Sequence, residues 1–170
     1  MKIIRIAAAL AIGLAFIASR DAGAQQNFAS TSAGATVSIV TAISITNTAD
    51  LNFGQVVAGG TSGTVAMSPV GFRSSGGGST LGSSGNSSAA SFNVSGDPNA
   101  SFSITLPGSA VLTNGSDNMT INNFTSNPSG NGTLSEVGGQ TLNVGATLQV
   151  GAAQPAGTYN GSFNVTVAYN

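Results

Sequence analysis

The last fourteen residues, GTYNGSFNVTVAYN (Gly157–Asn170), place an apolar or aromatic side chain at almost every second position. Tyr159, Phe163, Val165, Val167 and Tyr169 share one parity, with Gly161 between the first two and polar or small residues between the rest. Side chains on a strand point alternately to opposite faces, so this period of two predicts a strand with one buried face running almost to the chain end. The same reading applies to TVSIVTAISI (Thr36–Ile45), where Val37, Ile39, Thr41, Ile43 and Ile45 alternate with smaller or polar residues and Val40. It predicts a long first strand.

Between these two stretches, short apolar alternations recur at Leu51–Phe53, Val65–Met67, Phe92–Val94, Phe102–Leu106, Met119–Ile121, Leu134–Val137 and Leu142–Val150. Turn clusters separate them, among them Gly96-Asp97-Pro98-Asn99, Pro107-Gly108, Asn114-Gly115 and Asn131-Gly132. Asn-Gly tolerates the positive φ that tight hairpins demand. No window beyond the first 24 residues holds a helical period. Many short strands at regular spacing predict an all-β antiparallel sandwich. The stretch Ser74–Ser91 is rich in Gly and Ser with almost no apolar content, and reads as a long flexible loop.

The N-terminus carries a different signal. Lys2 and Arg5 precede an apolar run from Ile6 to Ala18, and Ala22-Gly23-Ala24 supplies small residues at a cleavage site. That order predicts a secretory signal peptide over residues 1–24. The run is too short for a spanning helix, which needs roughly 20 apolar residues. The expected organisation is a signal peptide (1–24), an N-terminal extension (25–35) and a β-sandwich domain (36–170). The chain is expected to be exported, to pass through the periplasm and to end at the cell surface or outside the cell, with no stable membrane anchor after cleavage.

Beyond residue 24 the only charged residues are Arg73, Asp50, Asp97, Asp117 and Glu136. With no basic patch, nucleic acid is a poor partner. Histidine and cysteine are absent from the whole chain, which removes the commonest general base, thiol chemistry and disulfide support. The four carboxylates lie far apart and beside turns. Asp117, near Asn114, Ser116 and Asn118, reads as an ordinary turn rather than a calcium site. No catalytic, cofactor-binding or metal-ligating residue is assigned, and the chain is not expected to be an enzyme.

Gly157 at the fourteenth position from the end, penultimate Tyr169 and the alternation between them resemble the C-terminal strand of chaperone–usher pilus subunits. Leu51-Asn52-Phe53-Gly54 is similar to the "LxFG" element of that group. With Val144-Gly145-Ala146-Thr147-Leu148 and Gly157-Thr158-Tyr159, it also resembles an uncharacterised bacterial domain family related to pilins and to spore-coat-protein-U-like domains. A departure is the missing disulfide that many pilins carry near the first strand. The resemblance implies an immunoglobulin-like sandwich, incomplete and finished by strand donation. It implies a structural subunit of a bacterial surface fibre whose partners are copies of itself or other fibre subunits, with a periplasmic chaperone in transit. Strand-pairing residues would be Tyr159, Phe163, Val165, Val167 and Tyr169 beside the groove, and Val37, Ile39, Ile43 and Ile45 in the first strand. The donor is either Gln25–Ala35 or Thr36–Ile45. The alternative is a self-contained secreted or surface binding domain for carbohydrate, for which only two Tyr and no Trp are available for stacking.

Overall fold

Strand β9 (Gly139–Val150) is the spine of the computed structural model, which describes residues 28–170. Leu142, Val144, Ala146, Leu148 and Val150 are all buried, the alternation of a strand with one face on a core. β4 (Ala90–Ser95) pairs antiparallel with Gly139–Val144, and β2 (Val56–Met67) pairs antiparallel with Ala146–Val150. β7 (Asp117–Asn127) pairs with both halves of β9. A strand has two edges, so β4 and β2 lie end to end along the edge opposite β7. Outside them run β1 (Ser44–Ala49) beside β4, β3 (Arg73–Leu81) beside β2, and β6 (Ser109–Asn114) beside β7. These seven strands form one sheet. β5 (Ser101–Thr105), β8 (Asn131–Thr133) and β10 (Thr166–Tyr169) form the second, in the order β10-β5-β8. The protein is an all-β antiparallel sandwich of the immunoglobulin-like kind.

The core divides along β9 into two clusters. Phe102, Leu134, Val94, Leu142 and Val144 fill the space at its N-terminal half. Phe53, Val65, Met67, Ile121, Leu148 and Val150 fill the space at its C-terminal half. Phe163 packs against both, with its ring centroid 4.9 Å from Phe124 and 6.5 Å from Phe92, the latter edge-on.

The Asn114-Gly115 hairpin forms as expected: Asn114 pairs with Asp117 across two loop residues, and Gly115 has φ 61°. Six readings need correction, the first two being the strand at Leu51–Phe53, where only an isolated bridge at Asn52 forms, and the turn at Asn131-Gly132, which lies within β8. Ser74–Ser91 is no loop, since β3 and the start of β4 lie within it. Strand β3 has almost no apolar residues, but its backbone pairs with β2 from Val56↔Leu81 to Met67↔Arg73. Ladder hydrogen bonds order it without any side-chain pattern to announce them. The long first strand over Thr36–Ile45 does not form either. β1 starts at Ser44, and residues 28–42 lie outside any strand and are exposed throughout. The apolar parity of Val37 and Ile39 finds no sheet to cover. The strand expected over Leu134–Val137 forms three residues earlier, as β8, and Val137 is exposed. Finally, the C-terminal strand is paired only over Thr166–Tyr169, plus one isolated bridge at Asn160.

The chain divides into two units, residues 1–37 and Ser38–Asn170. Of the first, residues 28–37 lie outside any strand and are exposed. The expected signal peptide and residues 25–27 of the expected extension lie outside the described residues. No helix among the described residues is long and apolar enough to cross a membrane.

Candidate functional site: an open groove at one end of the sandwich

The segment Gly161–Val165 has strand-like side-chain alternation without strand pairing. Phe163 and Val165 point inward and are half-buried, while Ser162 and Asn164 are exposed. Yet among the described residues no backbone hydrogen bond involves Gly161 through Val165. Unpaired strand-like backbone is a template for another strand. Either side of it the chain is secured. Asn160 exchanges two backbone hydrogen bonds with Thr113, at 2.8 and 3.0 Å, and Thr166 to Tyr169 pair with Thr105 to Phe102.

Beside this segment lies a cavity of about 1030 Å³. One wall is Leu51–Ala58 and the other is Gln154–Phe163. Leu112, Met119, Ile121, Leu148 and Val150 line it between the walls, so the lining is the edge of the second core cluster. The second wall is locked by side chains. The Gln154 amide donates to the Tyr159 hydroxyl at 2.9 Å and to the Asn118 carbonyl at 3.2 Å, and the Tyr159 hydroxyl donates to the Pro155 carbonyl at 2.8 Å. Gly157 sits against the Asn114 side-chain amide, where a Cβ would collide with it.

The first wall is held differently. Before β2 begins at Val56 it is paired by the Asn52↔Ser88 bridge and by a hydrogen bond from the Gly82 N–H to the Gln55 carbonyl at 2.9 Å. Gly54 has φ 66°, a left-handed conformation that glycine adopts without cost, and its N–H donates to Asn52 Oδ1 at 2.8 Å. Phe53 is buried beneath it. The Arg73 guanidinium donates to the carbonyls of Phe53, Gln55 and Gly82, the last two at 3.1 and 3.4 Å.

The opposite end of the sandwich is closed. Ile43, Ile45, Val165, Val167 and Tyr169 all pack on the Phe102–Leu134 cluster. The Tyr169 hydroxyl accepts from the Asp97 N–H and donates to the Thr41 carbonyl, both at 2.6 Å. This pins the chain just before β1. Ahead of that pin, Ile39 is 91% exposed and Val40 57%, while Val37 stands at 83%.

The expected pairing residues therefore separate into three groups. Tyr159 and Phe163 line the groove. Val165, Val167, Tyr169, Ile43 and Ile45 belong to the closed end. Val37 and Ile39 are exposed and unpaired. Sequence reasoning did not single out Arg73, Gln154 or the Thr41–Asp97–Tyr169 contact. No periodic signal marks such residues, because each acts through a bond to distant backbone or side-chain groups. The carboxylates do not assemble, and among the described residues no group of three His, Cys, Asp or Glu lies close enough to hold a metal ion.

The family model described as a domain of unknown function (DUF4402) matches residues 43–169, and the chain belongs to that family. No curated protein and no solved structure matches it.

Proposed function

We propose that this DUF4402 chain is a structural subunit of a surface fibre, its groove filled by an extended strand from a second copy. The observation that carries the reading is the groove itself: a trough floored by Leu112, Met119, Ile121, Leu148 and Val150 beside Gly161–Phe163, whose backbone has no hydrogen-bond partner among the described residues. A strand laid there would gain backbone hydrogen bonds for affinity and side-chain pockets for register. Covering Val37 and Ile39 would add about 1.5–3 kcal/mol each if both became fully buried.

Chain geometry favours a second copy over the chain's own arm. Ser44 pairs with Ser95, and Ser95 with Gly139, so β1 starts level with the N-terminal end of β9. The groove is lined by Leu148 and Val150. Nine residues separate Gly139 from Leu148, which at 3.3 Å per residue is roughly 30 Å. Val37 is seven residues before Ser44, a reach of at most about 25 Å. Ile39, five residues before Ser44, therefore falls short of the Leu148–Val150 end of its own groove. A donor on one copy and an acceptor on the next make a head-to-tail contact, which propagates into a filament where its rotation closes no ring.

The test is the chain expressed from residue 25, followed by size-exclusion chromatography and electron microscopy. Wild type should form linear assemblies, and Val37→Asp/Ile39→Asp should remain monomeric. The monomeric variant should then capture the free peptide TVSIVTAISI. A wild type that stays monomeric, with a variant that ignores the peptide, would overturn the proposal in favour of a self-contained binding domain.

A further inference from the structure

Arg73 is the only Lys or Arg between residues 28 and 170. No carboxylate lies within ion-pair distance of it among the described residues, and its guanidinium meets backbone carbonyls instead. Three of them, on Phe53, Gln55 and Gly82, converge on one side chain. Two belong to the first groove wall. Hydrogen bonds from an ionised donor are about twice as strong as neutral ones, and the planar guanidinium suits several acceptors at once.

The wall has reason to need such support. Gly54 interrupts its extended run, and sheet pairing resumes only at Val56. Arg73 adds donors to a wall that the neighbouring chain serves with the Gly82 N–H on the Gln55 carbonyl. Beneath the wall, Phe53 is anchored among the residues of the second core cluster. The segment is thus held by a ring on one side and a guanidinium on the other. Gly54 also lies against the guanidinium, and a Cβ there would collide with Nη1. Without Arg73, the Phe53 carbonyl loses its donor, and the Gln55 carbonyl keeps only the Gly82 N–H at 2.9 Å.

We infer that Arg73 is a positioning residue that holds the Leu51–Gln55 wall in the shape that accepts a donated strand. The inference rests on the strand-accepting reading above, and its test separates the two. In the monomeric Val37→Asp/Ile39→Asp background, the peptide TVSIVTAISI is titrated against Arg73, Arg73→Lys and Arg73→Met proteins. Loss of charged hydrogen bonds predicts peptide capture weakened by about tenfold or more in Arg73→Met, with Arg73→Lys between. In parallel, amide exchange should accelerate at Leu51–Gln55 in Arg73→Met while the amides of β9 stay protected.

Equal peptide affinity in all three proteins overturns the role of Arg73 while leaving strand acceptance intact. Failure of the Arg73 protein itself to bind peptide overturns strand acceptance, and the exchange data then decide the brace alone: unchanged exchange at Leu51–Gln55 refutes it. Should Arg73→Met not fold, Arg73→Lys carries the comparison, and wild-type affinity together with wild-type exchange in that variant overturns the inference.

Discussion

The two ends of β9 carry cores of similar make-up and opposite fates. At its N-terminal half, β1, β4, β5 and β10 cover the Phe102–Leu134 cluster, and Tyr169 ties the chain entry to the chain exit. At its C-terminal half, the cluster around Leu148 and Val150 opens into a cavity whose walls are irregular chain. The difference does not lie in hydrophobicity. It lies in whether a backbone stands ready to pair: Thr166–Tyr169 find β5, while Gly161–Val165 find nothing. A sandwich buries its apolar face only where a strand is available to close it, and under the proposed function the element that closes this end is a donated strand.

Substitutions can probe that contrast, and the largest effect belongs to the closed end. Phe102 is fully buried, and Phe102→Ala should lower stability by about 3–5 kcal/mol in urea titrations, whether or not a donor strand is bound. Tyr169→Phe comes next. It keeps the ring and removes the hydroxyl that serves Asp97 and Thr41, leaving a backbone N–H and carbonyl to find new partners. The expected cost is about 0.5–1.5 kcal/mol, since water can reach the Thr41 carbonyl, read as faster proteolysis at residues 38–43 and a lower urea midpoint. Protection of that segment equal to wild type would break the assignment of the closed end as a clamp on the arm.

The smallest effect in the isolated chain belongs to the open end. Met119 is only half-buried and lines the groove. Met119→Ala should therefore cost the monomer less than about 1 kcal/mol, below the 2–5 kcal/mol of a fully buried Met. The peptide-bound protein should show the larger loss, because the donor strand completes the burial. An equal loss in both states would mean that the groove is already closed in solution, and the contrast between the two ends would disappear.

Much of the architecture is legible in composition and period. Alternation in Leu142–Val150 marks the buried spine, and Asn114-Gly115 marks a hairpin that forms. Even in the unpaired tail the parity is right: Phe163, Val165, Val167 and Tyr169 are all less exposed than their neighbours. Side-chain period reports which face is apolar. It does not report whether a neighbouring strand exists. The expected strands over Thr36–Ile45 and Tyr159–Tyr169 therefore shrink to the parts beginning at Ser44 and at Thr166.

The amino-acid sequence by itself determined the all-β class, the inward-facing residues of Leu142–Val150 and of the C-terminal stretch, and the absence of thiol and imidazole chemistry, because each follows from local composition or a period of two. Tertiary structure alone decided three other things. It made a strand of the Gly- and Ser-rich Arg73–Leu81, through backbone pairing that leaves no apolar signature. It set the groove between Leu51–Ala58 and Gln154–Phe163, segments about a hundred residues apart in the chain. And it brought Arg73 onto the Phe53 and Gln55 carbonyls. All three depend on which backbone lies beside which, and that pairing is a property of the folded chain rather than of any window within it.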